Sequence, residues 1–115
     1  MSKYIKLLVK DISWDVPEYF LGLEPLNDDA PLEDHIKRLY QEIPEKIKEL
    51  YPELPNDVTL DITLEDNDLE EDGKSIYAGV LASIVNDKLF NEYGYNASSM
   101  GDFIVLEGEL EILYD

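Results

Sequence analysis

Carboxylates are the groups in this sequence with the numbers and spacing to do chemistry. Their densest run is Asp57, Asp61, Glu65, Asp66, Asp68, Glu70, Glu71 and Asp72, with no Lys or Arg between positions 56 and 73. Within it, Asp68-x-Glu70-x-Asp72-Gly73 reproduces the first half of a calcium loop, in which oxygen ligands at positions one, three and five precede a turn glycine. The twelfth position, which must bring a bidentate Glu, is Gly79, and the apolar eighth position is Ser75. Half a ligand set holds a hard cation poorly. The run therefore reads as a solvated acidic loop with no specific metal. Gly73-Lys74-Ser75 resembles the end of a phosphate-binding loop, but the first glycine of that motif falls on Asp68, and the carboxylates from Asp66 to Asp72 repel phosphate. A turn followed by an N-capping serine is the expectation there.

Other catalytic chemistries lack their parts. His35 is the only histidine, so no imidazole pair exists for a metal, and no nucleophile can be placed beside it. The chain has no cysteine, which excludes disulfides, thiol catalysis and thiolate metal sites. Asn96-Ala97-Ser98 is a glycosylation sequon, which acts only on a secreted chain. No residue set amounts to an active site. The expectation is a binding protein with no catalytic residues, no cofactor and no metal.

Hydrophobic periodicity supplies the elements that carry these groups. Residues 3–12 read as a strand, with Ile5, Leu7 and Val9 on one face and Lys6, Leu8 and Lys10 on the other. Residues 57–65 alternate more cleanly, Val58, Leu60, Ile62 and Leu64 against Asp57, Thr59, Asp61, Thr63 and Glu65. Residues 103–114 form a third strand, with Ile104, Leu106, Leu110, Ile112 and Tyr114 opposite Glu107, Glu109 and Glu111. Gly108 interrupts its apolar face, where a bulge or a close approach is expected. Leu32, Ile36, Leu39, Ile43, Ile47 and Leu50 make one apolar stripe on a helix over 32–51. Pro44 should kink that helix, because proline lacks an N–H and crowds the preceding turn. A second helix over 75–93, ended by Gly94, is the expected buried element. Ser75, Gly79 and Ser83 form a small-residue stripe along it, suited to tight packing on the sheet. The fold class is thus α+β: a small mixed or antiparallel sheet of at least three strands (about 3–12, 57–65 and 103–114), covered on one face by two helices, in a single domain over 1–115.

Charge sets the class of partner. There are 27 Asp and Glu against nine Lys and Arg among 115 residues, a formal net of −18. Direct binding to nucleic acid or anionic lipid needs clustered cations, so both are excluded as partners. No run reaches the ~20 apolar residues of a membrane span, and the charged opening residues do not read as a signal peptide, so the chain is expected to be cytoplasmic. Two acidic strand faces add a geometric argument. Glu107, Glu109 and Glu111 would repeat every ~6.8 Å along one strand, and two such rows, staggered, would give about one charge per 3.4 Å, close to the axial charge density of one nucleic-acid strand. Lys6 and Lys10 could pair across to these acids, but two lysines cannot balance six carboxylates. Residues 13–31 are a long connection holding Trp14, Tyr19 and Phe20, either core closure or binding anchors.

In composition the chain resembles short acidic inhibitors that occupy the nucleic-acid channel of a basic enzyme, the anti-restriction and anti-CRISPR proteins. That likeness rests on no motif. It implies a basic, nucleic-acid-handling protein as partner, met by Asp61, Glu65, Asp66, Asp68, Glu70, Glu71, Asp72, Glu107, Glu109 and Glu111, with Trp14, Tyr19 and Phe20 as short-range contacts, and a chain that is a monomer or weak homodimer. An immunity or antitoxin-type protein, or a small cellular adaptor, is the alternative.

Overall fold

A computed structural model describes residues 2–114. The central strand is β1 (Lys3–Val9). Its register is held by Ile5, Leu7 and Val9, all fully buried, while Lys6 and Leu8 lie on the other face. One neighbour is the antiparallel strand β3 (Val58–Leu64), with Lys6 opposite Asp61 and Leu7 opposite Leu60. Its alternation of buried aliphatics and exposed Thr59, Asp61 and Thr63 follows the expected pattern. The other neighbour is β6 (Phe103–Glu107), giving the antiparallel order β3-β1-β6. Two smaller pairs complete the strands. These are β2 (Ser13–Trp14) with β5 (Ala97–Ser99), antiparallel, and β4 (Ser75–Tyr77) with β7 (Glu111–Leu113), parallel.

The third strand departs from its sequence reading in two ways. Phe103 and Val105 turn inward, while Ile104 and Leu106 are exposed. A bulge then places Leu7 opposite Val105 and Lys6 opposite Glu107, so that Glu107 reaches the outer face although it shares parity with Val105. The strand also stops at Gly108. This residue has φ +94°, and a Cβ there would lie 2.7 Å from the Tyr4 carbonyl oxygen. Only glycine can turn the chain so close to β1, and beyond it Glu111–Leu113 leaves for β4. Glu107, Glu109 and Glu111 therefore do not form one strand face, and the nucleic-acid-like row expected of them does not exist.

The helices differ as much. The long helix α3 (Ala78–Tyr93) starts three residues later than expected, because Ser75–Tyr77 is strand β4. Leu81, Val85 and Leu89 give it one fully buried line against the sheet's inner face, and Gly94 caps it in the left-handed conformation. Gly79 and Ser83 are exposed, so the small-residue stripe does not pack on the sheet. The first helical stretch is continuous but compound: α1 (Leu32–Lys37), a π-turn (Arg38–Glu42) and α2 (Ile43–Leu50). The Ile43 N–H bonds to the Arg38 carbonyl, five residues back. Pro44 explains the π-turn. It cannot donate to residue 40 and its ring crowds that carbonyl, and a widened turn just before it relieves the clash without ending the helix. This stretch packs on the core only through its C-terminal half, by Ile47 and Ile43. Only Ile47 is buried, and Leu32, Ile36, Leu39 and Leu50 are exposed. The space that it was expected to fill is taken by α3 and by Trp14, Val16 and Leu21 from the long connection, all in the same core.

Candidate functional site

The densest acidic surface forms where the N-terminal end of β1 meets the C-terminal end of β3. Lys3 lies opposite Leu64, so Glu65 and the loop behind it leave the sheet at that end. The loop is built by its own carboxylates. A short 3-10 turn (Asp66–Asp68) is boxed by Glu65 and Asp68, the Glu65 N–H donating to Asp68 Oδ2 at 2.9 Å. Asp72 accepts from the Lys74 N–H at 2.8 Å, the Ser75 N–H at 2.9 Å and the Ser75 hydroxyl at 2.6 Å. The Ser75 hydroxyl chiefly, then the two backbone N–H groups, hold the Asp72 carboxyl below the usual aspartate range. Ser75 is thus a buried strand residue holding a turn, and not a helix cap. The two N–H groups that a phosphate-binding loop would offer its ligand already bind this carboxylate. Asp68 and Asp72, two of the three half-motif ligands, are likewise spent on the loop's own backbone. Among the described residues no cluster of three or more acids or histidines has metal-binding geometry.

Strand pairing delivers the second group of acids to the same end. The Glu111 N–H donates to the Lys74 carbonyl at 2.9 Å, and Glu111 lies opposite Ser75 in the parallel β4–β7 pair. The segment that leaves β6 at Glu107 therefore meets the chain at Lys74 and Ser75, directly after the acidic loop. Asp61 and Glu107 are level with Lys6 on its two flanks, separated by about twice the ~4.8 Å strand spacing. Lys6 Nζ is 3.8 Å from Glu107 Oε1, and the Tyr4 hydroxyl donates to Asp61 Oδ1 at 2.6 Å. That hydrogen bond is the main cause that raises the Tyr4 phenol above its ordinary pKa. Asp61 and Glu107 are thus partly engaged. Glu65, Glu70, Glu71, Glu109 and Glu111 are exposed, and no ion pair to a cation is formed by any of these five among the described residues. Eight of the ten acidic candidates thus lie on the segments that leave the sheet at this end, while Asp61 and Glu107 lie level with Lys6 at the middle of β1.

The aromatic candidates lie elsewhere. The chain reaches Trp14 from the opposite end of β1, seven residues or roughly 24 Å of strand away from the acidic loop. Trp14 is only 5% exposed, its indole N–H donates to the Pro55 carbonyl at 2.8 Å, and its ring meets Tyr93 edge-on at 5.2 Å. It is a core residue. Tyr19 and Phe20 stack edge-on at 4.5 Å on a 3-10 turn (Glu18–Leu21) and are exposed, Tyr19 by 74%. Arg38 ties that turn to the helix. Its Nη1 donates to Glu18 Oε2 at 2.7 Å and to the Glu24 carbonyl at 2.6 Å, and its Nε donates to Glu42 Oε2 at 2.7 Å. Sequence reasoning missed this bridge, since Arg38 reads as the i+4 partner of Asp34 and nothing local points to Glu18. Acids and exposed aromatics accordingly form two surfaces and not one.

Comparison with protein-family models, with curated proteins and with solved structures finds no match to this chain. Among the described residues no helix is long and apolar enough to cross a membrane.

Proposed function

We propose that this chain is a cytoplasmic binding protein whose acidic end docks on a basic, nucleic-acid-handling protein and competes with the nucleic acid bound there. The observation that supports this reading is the convergence of two sequence-distant acidic segments, 65–72 and 109–111, at one end of the sheet through the β4–β7 pairing. Concentrated exposed charge steers encounter with an oppositely charged groove and rejects acidic competitors. Glu107, Glu109 and Glu111 form no single row at phosphate spacing, so the mode favoured is electrostatic occupation of a groove.

The test is capture from the native host followed by binding kinetics on the purified partner. Association should slow as salt rises, because exposed charges are screened beyond a Debye length of ~8–10 Å. Reversal of Glu70, Glu71, Glu109 and Glu111 to lysine should slow it at least about tenfold at low salt, with the melting curve unchanged. The partner's nucleic acid should displace the chain. A partner with an acidic surface, or binding indifferent to both salt and these reversals, overturns the proposal. Binding to a basic toxin outside its nucleic-acid groove supports the immunity-type alternative instead.

A further inference from the structure

The helical stretch from Leu32 to Glu42 presents a different surface. None of its eleven consecutive residues is fully buried, and Arg38 has a mostly covered side chain. Yet they carry an apolar face: Leu32, Leu39 and Tyr40 are 73%, 57% and 71% exposed, and Ile36 about half. The same face continues over a groove of about 500 Å³ lined by Ile12, Trp14, Leu39, Ile43, Ile47 and Leu54. Contiguous apolar surface of this kind marks an interaction site.

Charge decides between occupants. Residues 32–50 hold five acids and four bases, which leaves 22 acids and five bases for the rest of the chain. This stretch is nearly balanced, so it offers a basic partner little attraction. A second copy, equally acidic as a whole, meets little repulsion here. The residue order is also self-complementary. If two copies cross antiparallel about a two-fold axis between Leu39 and Tyr40, Leu32 comes level with Ile47 of the second copy, Ile36 with Ile43 and Leu39 with Tyr40. Glu33 comes level with Lys46 of the second copy and within one turn of Lys48. Neither Glu33 nor Lys48 has an ion pair within its own chain among the described residues. One like-charged pair, Asp34 with Glu45, also comes level, but Asp34 lies two residues on from Leu32, on the face away from the stripe.

We infer that Leu32–Leu50 is a self-association surface on which two copies pair their helices antiparallel, each inserting Leu32 and Ile36 into the other's groove. Covering the four exposed side chains at roughly 100–150 Å² each, from both copies and with the groove walls, reaches on the order of 1,000 Å², the lower bound for a specific interface. The association is isologous and closes at two copies. It uses the end of the molecule away from the acidic loop and does not depend on what the acids bind.

Sedimentation equilibrium of the full chain, from low micromolar to near-millimolar concentration, tests this. The mass should rise from 13.2 kDa toward twice that value. Added salt should strengthen the dimer, because it screens repulsion between two acidic bodies, which is opposite in sign to docking on a basic protein. Leu39→Glu should weaken association at least about 30-fold with an unchanged circular dichroism melt, as expected for a central apolar anchor. Leu32→Glu, at a still more exposed position, replaces it if Leu39→Glu melts early. Glu33→Lys and Lys48→Glu should each weaken the dimer, and the double exchange should restore it. A chain that stays monomeric at high concentration and high salt overturns the inference. So does a dimer indifferent to Leu39→Glu and Leu32→Glu, a double exchange without rescue, or a monomer whose groove binds a basic amphipathic peptide.

Discussion

Substituting Gly108 by alanine tests the turn that assembles the acidic end. The φ of +94° costs an L-residue about 1–2 kcal/mol. The added Cβ meets the Tyr4 carbonyl oxygen at 2.7 Å, Ile5 Cγ2 at 3.1 Å and Ile5 Cα at 3.3 Å. Tyr4 and Ile5 are backbone of the central strand, paired with Thr63 and Ile62 of β3, so they cannot step aside singly. Relieving such an overlap costs roughly a further 1–3 kcal/mol. The total, about 3 kcal/mol, is a large share of the 5–15 kcal/mol that stabilises a typical domain. Urea denaturation followed by circular dichroism should show the midpoint falling by roughly 1–2 M. Gly79→Ala is the control: it lies in the first turn of α3 with nothing within 4 Å of the new Cβ and should leave the midpoint unchanged or slightly raised. A Gly108→Ala midpoint within about 0.3 M of the parent's would refute both the strain and the close approach to β1.

Two further predictions concern the core and the loop. Trp14 is the only tryptophan, so native fluorescence should be blue-shifted and hard to quench, and Trp14→Phe should cost about 1–3 kcal/mol by leaving the Pro55 carbonyl without its donor. A solvent-like emission maximum would show that Trp14 belongs to a surface. Asp72 has a folded pKa below its ordinary 3.8. Its contribution should therefore be present above pH ~4 and lost as pH falls through the folded value, so melting temperatures of the parent and of Asp72→Ala should differ near neutrality and converge in acid. Parallel curves across that range would detach the carboxylate from the stability of the loop.

Burial parity was written in the order of residues wherever a strand had one wet face. Val58, Leu60, Ile62 and Leu64 alternate with Thr59, Asp61 and Thr63, and Ile5, Leu7 and Val9 stand at the same period, because side chains on a strand point to opposite faces in strict alternation. The buried line of α3, its glycine cap, the α+β class and the excess of acid over base were legible for similarly local reasons. Reading failed where parity or partner depended on a neighbour in space. A single bulge opposite Leu7 and the turn at Gly108 broke the row Glu107, Glu109 and Glu111, and alternation in the sequence cannot register a two-against-one pairing. Leu32 to Leu50 reads as a core helix, yet a period of three and four states only that one face is apolar and not what covers it. The sheet's inner face was already filled by α3 and by Trp14, Val16 and Leu21. Sequence alone determined how many acids there are and on which segments. The parallel pairing of Ser75–Tyr77 with Glu111–Leu113, a contact between residues more than 30 apart with no local signature, decided that they meet at one end.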